Sequence, residues 1–172
     1  MRYTPHQHRH NFSVWAAARA SQRGFATVAS LRIALEQCGV EDFARKPKKL
    51  GSFDEQHRTW CRAICVTLDS MELKGATYGR AAKLINVYLK GMVVLADINS
   101  NAAAIVHPPV DRILLRNIAA DTAIAKHHRA ICRRVNWTQL DESQYFELIS
   151  VLREIKGDDP FWKLERYWSV AG

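Results

Sequence analysis

A lysine set in an otherwise apolar helix is a candidate nucleophile, because loss of water lowers its pKa and frees the amine. Lys83 stands in such a setting, within Ala81-Ala82-Lys83-Leu84-Ile85-Asn86-Val87-Tyr88-Leu89. A second lysine, Lys90, lies one face away and is expected to act as a cationic neighbour that lowers the pKa further. Asp111 follows Pro108-Pro109-Val110 and offers a carboxylate able to stabilise positive charge or to manage protons. Its plain structural role is a helix N-cap, and a capping aspartate can also face a cleft. Ahead of the lysine, Lys74-Gly75-Ala76-Thr77-Tyr78-Gly79 reads as a turn with two glycines. The N–H groups where it opens into a helix, with Arg80 and the small Ala81, could hold an anion. An ordinary helix–helix connection is the alternative. His57, Cys61 and Cys65 recur every four residues. Buried thiols with a surface histidine are the preferred reading there, and no metal is expected.

These residues need elements to position them. At about 100° per residue, Ala81, Leu84, Ile85, Tyr88, Met92 and Leu95 share one side of a helix, and Lys83, Asn86, Lys90 and Asp97 the other. Val87 and Val94 flank the polar line, which predicts an interior helix with that line facing a cleft. Further helices are predicted from Asn11 to Ser21 and from Thr27 to Cys38, the latter stopped by Gly39. A basic connector over Arg45–Gly51 leads to Ser52 and Glu55, a capping box opening a helix to about Met71. The lysine helix runs from Arg80 to Asp97. A longer connection from Ile98 to Pro109 follows, where Pro108 and Pro109 forbid helix. Helix resumes at Arg112, with a restart at Asp121, and reaches about Arg134. Asp141 and Gly157 bound another helix, and Asp159 with Pro160 opens a last one through Tyr167. The expected fold is all-α, with seven to eight helices and no strand. It is a single domain over 1–172 or two small lobes around a cleft, with the turn and lysine helix at about 72–97.

The chain has 172 residues with 48% hydrophobic and 24% charged, a globular composition large enough for a real core. Its formal net charge of +8 favours a polyanionic partner. No apolar run of about 18 residues is present, so no membrane span is expected. The first eight residues carry no apolar stretch of a signal peptide, and a cytoplasmic protein is expected. The four cysteines form no CxxC pair, which reads as reduced thiols.

The stretch from Thr77 to Leu89 resembles the hairpin and following helix of the helix-hairpin-helix DNA glycosylases, the endonuclease III-like superfamily. There a Leu-Pro-Gly-Val-Gly hairpin precedes a Lys-x-x-Asn-Val-x-Leu helix that opens on the catalytic lysine. Lys83, Asn86, Val87 and Leu89 match that helix in register, and Gly79 matches the first hairpin glycine. The second glycine falls on Ala81, and the leucine–proline pair on Thr77 and Tyr78. The family's second signature, Val-Asp with an arginine five positions later, is matched by Val110, Asp111 and Arg116. The two motifs cover about a quarter of the chain. The interval from Lys83 to Asp111 is closer to that of the archaeal 8-oxoguanine DNA glycosylases than to that of endonuclease III, as is the second lysine at Lys90. The iron–sulfur cysteine run of endonuclease III is absent.

The resemblance implies base excision from double-stranded DNA carrying a damaged or modified base, by a monomer needing no cofactor. Lys83 would attack C1′ and form a Schiff base that permits strand cleavage (AP lyase activity), and Asp111 would stabilise the oxocarbenium charge. Lys74, Gly75, Gly79, Arg80 and Ala81 would contact DNA. The flipped base needs a stacking pocket, for which the candidates are Phe12, Trp15, His107, Phe161, Trp162 and Trp168. Lys126, His127, His128, Arg129, Arg133 and Arg134 could hold phosphates or form a solvated basic face. The archaeal resemblance points to oxidised guanine; a defence role against modified phage DNA is equally open. Two other classes compete: a non-catalytic helix-hairpin-helix DNA-binding module, which needs neither Lys83 nor Asp111, and a helical nucleic-acid-binding regulator, for which the motif match is chance.

Overall fold

Helix boundaries follow from local capping chemistry. In the computed structural model, which describes residues 3–47 and 53–168, Thr4 accepts the Gln7 amide in a capping box and Pro5 opens α1 (Pro5–Ser21). That pair starts the helix six residues before the predicted Asn11. Thr27 and Ser30 box the start of α2 (Val28–Gln37), and Gly39, with φ of 85°, turns the chain into α3 (Val40–Arg45). Next comes α4 (Phe53–Ser70). Ser52 and the connector residues 48–51 lie outside the described residues, so the predicted Ser52 cap does too.

Thr77 caps α5 (Tyr78–Leu89), which passes directly into a π-helical turn over Lys90–Val94. The wider turn adds a residue to the helix and shifts the register that 100° steps predict. Val94, predicted beside the polar line, is therefore buried, while Leu95, predicted on the apolar side, is 66% exposed. The predicted Ile98–Pro109 loop contains a short helix, α6 (Asn101–Ile105), capped by Ser100. Asp111 caps α7 (Arg112–Ala120), which stops at Asp121; α8 (Lys126–Arg134) starts after a separate turn. A 3₁₀ turn over Trp137–Gln139 leads to α9 (Glu142–Lys156), boxed by Asp141 and Gln144 and closed at Gly157.

The predicted last helix is a 3₁₀ segment, Phe161–Tyr167, rather than an α-helix. Pro160 is extended and stands outside the segment, and the Asp159 carboxylate takes Lys163 Nζ at 2.6 Å instead of capping amides. A three-residue period also places Phe161 and Leu164 on one edge, and both are buried. The described residues thus form nine α-helices with short π and 3₁₀ segments and no strand. None of these helices is long and apolar enough to cross a membrane.

The core gathers around α5, which packs against α1, α2, α4 and α9. Ala82, Leu84, Ile85, Tyr88 and Leu89 are completely buried on it. Gly79 makes the close approach possible at its start, since a Cβ there would stand 1.9 Å from the Trp137 carbonyl oxygen. Two polar residues in the body of the helix, Lys83 and Asn86, are also buried.

Candidate active site

Lys83 projects from the second turn of α5, and Asp111 from the cap of α7. Lys83 Nζ donates to Asp111 Oδ2 at 3.2 Å, with the residues only 5% and 6% exposed. Asp111 Oδ1 accepts the amides of Ile113 and Leu114 at 2.9 and 3.0 Å, and Oδ2 also accepts Trp168 Nε1 at 3.0 Å. The aspartate is thus cap, ion-pair partner and acceptor at once. Trp137 covers the lysine, its ring centroid 4.6 Å from Nζ.

The electrostatics of the pair are unequal. Burial holds the Lys83 ammonium below its ordinary pKa; Asp111 opposes this without cancelling it, and the charge of Arg23 adds to the depression. Burial alone would raise the Asp111 carboxyl, but the Leu114 amide, the Lys83 charge and the Trp168 indole N–H reverse that and hold it low. Asp111 therefore stays ionised while Lys83 is biased towards the free amine. Lys90 is not the cation that acts on Lys83: it is ion-paired with Glu165, and Arg23 supplies the effect instead.

A cavity of about 250 Å³ opens beside the pair. Phe12, Val87, Leu95, Pro109 and Trp168 form mostly apolar walls, and the Lys90–Glu165 pair lies on its margin. Burial pushes the Glu165 carboxyl up even with Lys90 beside it. Ser13 also lines the cavity, with its Oγ buried and without a partner. The apolar lining with a few convergent polar groups is typical of small-molecule sites.

The other candidates fall in different places. Trp15 is 54% exposed and packs beside the rim residue Phe12, with ring centroids 6.0 Å apart. His107 is fully buried rather than on the cleft wall: its ring nitrogens meet Asp54 Oδ1 at 3.2 Å and Tyr145 Oη at 3.1 Å. Phe161 packs edge-on against His107 in the core, and Trp162 is half-buried outside the cavity lining. Of the turn residues, Lys74 and Gly75 are exposed, but the amides of the others are spoken for. Gly79 N–H donates to Leu140 O at 3.0 Å, Arg80 N–H to Thr77 Oγ1 at 3.3 Å, and Ala81 N–H to Thr77 O at 3.0 Å. The Arg80 guanidinium stacks 4.2 Å from Phe25 and donates to Gly75 O.

His57, read as a surface histidine, is completely buried, because α4 turns it inward onto Asn86. Its Nε2–H donates to Asn86 Oδ1 at 3.0 Å, which leaves Nδ1 to accept from Tyr78 Oη at 3.3 Å. Asn86 Nδ2 in turn donates to Tyr145 Oη and to Pro108 O at 3.0 and 3.1 Å. Every donor and acceptor in this chain is matched with both imidazoles neutral. All four cysteines are free. Among the described residues, the trio with metal-ligand spacing is His127, His128 and Glu154, within 4.8 Å of one another. Lys126 and Arg129 beside it weaken any hold on a cation.

Trp137, Glu165 and the charge of Arg23 have no signal in the sequence, since each reaches the site from a separate element. Comparison with known families, with curated proteins and with solved structures finds no match to the chain.

Proposed function

We propose that the chain is a DNA glycosylase that removes a damaged or modified base, with AP lyase activity through Lys83. The observation that carries this reading is the buried Lys83–Asp111 contact of 3.2 Å beside a largely apolar cavity. A lysine with a depressed pKa next to an ionised carboxylate can attack C1′ as the glycosidic bond breaks, its electron pair leaving with the base. Asp111 takes up a proton from the attacking amine and faces the positive charge that develops on the sugar. Asp111 would return that proton to O4′ as the C1′–O4′ bond opens to give the iminium, and loss of a C2′ proton from the iminium then permits elimination of the 3′ phosphate. A base flipped from the duplex would enter the cavity between Phe12 and Trp168, where Lys90 offers a donor and Glu165 an acceptor to its polar edge. The internal pairing of the Gly79, Arg80 and Ala81 amides speaks against a module that merely binds DNA through that turn.

Borohydride trapping on duplexes carrying a panel of oxidised, alkylated and deaminated bases tests the proposal. Expected is a covalent adduct with at least one lesion, lost in Lys83→Ala. Abasic product without an adduct, dependent on Asp111 but not on Lys83, would indicate a monofunctional glycosylase. Neither adduct nor abasic site on any duplex would overturn the enzyme reading.

A further inference from the structure

Trp137 also lines a second concavity, an open groove of about 620 Å³. Four arginines from three parts of the chain line it. Arg112 and Arg116 come from α7, Arg133 from the end of α8, and Arg23 from the turn after α1. Among the described residues, no carboxylate lines the groove. We infer that this groove is the track for a phosphodiester strand, binding the phosphates next to the nucleotide held at Lys83.

The clustering of unpaired arginines carries the argument. Arg32 and Arg45 are each bound to a glutamate one turn away, Arg58 and Arg62 share Glu142, and Arg153 holds Asp54. Arg23, Arg112 and Arg116 have no hydrogen-bond or ion-pair partner among the described residues, and the Arg133 guanidinium donates only to the Ala119 carbonyl. Arg9, Arg19, Arg129 and Arg134 also have no hydrogen-bond or ion-pair partner among the described residues, but none of them lines the groove. Arg112 and Arg116 stand four apart on one helix face, where like charges repel unless an anion lies between them. The groove wall beyond them is built from the small side chains Ala119 and Ala120, which leaves room for a backbone to approach.

Arg23 adds an independent observation. With φ of 29°, it occupies the left-handed region that favours glycine, and only Glu72 among the other described non-glycine residues does the same. That backbone brings its guanidinium over Trp137, 5.6 Å from the ring centroid, while Lys83 approaches the same ring at 4.6 Å. One tryptophan ring is therefore shared by a groove arginine and the candidate nucleophile. A strand whose sugar lies at Lys83 has its neighbouring phosphates within reach of the groove. The first turn of α5 has already committed the Gly79, Arg80 and Ala81 amides internally, so the phosphate contacts fall to side chains on α7, α8 and the Arg23 turn. Several guanidinium forks along one groove suit the repeated anions of a strand better than a single small anion. The strand's position beside Lys83 rests on the function proposed above; phosphate binding by the groove does not.

The test is fluorescence anisotropy with a duplex carrying a tetrahydrofuran abasic analogue, which has no C1′ substituent to be removed. Intact protein and the variant Arg112→Gln/Arg116→Gln/Arg133→Gln are titrated across a range of salt, with Arg32→Gln as comparator and circular dichroism to verify folding. The folded triple variant is expected to bind at least about tenfold more weakly at 0.1 M salt. Its slope of log affinity on log salt should be shallower by about 2, at roughly 0.9 per duplex phosphate lost. Arg23→Gln alone should lose part of the same slope, while Arg32→Gln keeps it. An unchanged slope in the folded triple variant would overturn the inference, as would failure of the intact protein to bind any duplex. Displacement of the duplex by submillimolar pyrophosphate would identify a small-anion site and overturn it as well. Because nothing is excised in this assay, its outcome is separate from that of borohydride trapping.

Discussion

Lys83 and Asn86 stand three residues apart on α5, both buried, and their surroundings differ in what is left over. Around Asn86 nothing is: His57, Tyr145 and the Pro108 carbonyl satisfy its amide, and the stacked His57 and Tyr145 rings lie 5.2 Å apart with planes within 4°. Around Lys83 one direction is open, onto a cavity, and the group is charged against a carboxylate that already has three other donors. A closed neutral network stabilises and orients; an open charged pair retains free energy of desolvation that a reaction can use. Asn86 joins the two regions, because its bond to Pro108 O ties the lysine helix to the loop that ends in Asp111.

The largest effect that would break this contrast is on chemistry. Lys83→Gln should reduce borohydride-trapped adduct by about a thousandfold or more, while changing stability by no more than about 1 kcal/mol, since Asp111 keeps its other donors. A large loss of stability with little loss of adduct would make Lys83 scaffold instead. Asn86→Ala should do the opposite in kind, costing about 3 kcal/mol in urea denaturation by orphaning His57, Tyr145 and the Pro108 carbonyl. If Asn86→Ala proves as stable as the parent, the closed network is not what holds the loop.

The third test is pH. Burial pushes both His57 and His107 below the ordinary histidine value of 6.5; for His107 the neighbouring Asp54 only partly offsets this. A histidine whose folded pKa is depressed binds more protons when unfolded, so its stabilisation is present above pH 6.5 and is lost as pH falls towards the folded value. Between pH 7 and 5.5 the urea stability should fall by about 2 kcal/mol, and His57→Gln should flatten the dependence. A pH-independent midpoint over that range would mean that the network is not held neutral. The smallest effect is expected at Gly91, where a Cβ would stand 2.2 Å from Ser13 Oγ. The hydroxyl has no partner to lose and can turn aside, while Ser13 Cβ, at 3.0 Å, must give by a few tenths of an ångström, so Gly91→Ala should cost about 1 kcal/mol in the same denaturation measurement while narrowing the cavity.

Much of the fold is legible in the chain. Thr27, Asp111 and Asp141 cap the helices that their types predict, and Gly39 and Gly157 end theirs, because capping is settled within four residues. The π turn at Lys90 is not legible: Gly91 yields to the approach of Ser13 from α1, and nothing near Gly91 in sequence announces it. The early start of α1 is readable in Thr4-Pro5, whereas the 3₁₀ form of Phe161–Tyr167 depends on the core surface it covers.

By itself the sequence determined the all-helical class, the caps at Thr27, Asp111 and Asp141, and the pair Lys83 and Asp111 as residues to watch. Short-range capping and the period of apolar residues contain that information. Only the tertiary structure decided that the two meet at 3.2 Å, that Trp137 and Trp168 cover them, and that His107 belongs to a sealed network rather than to the cleft. It also decided that the Gly79, Arg80 and Ala81 amides are used within the protein while unpaired arginines gather in a groove that Trp137 lines. The physical reason is common to all of these. Burial and pairing depend on side chains delivered by elements far apart in the chain, and no local pattern records which of them arrive together.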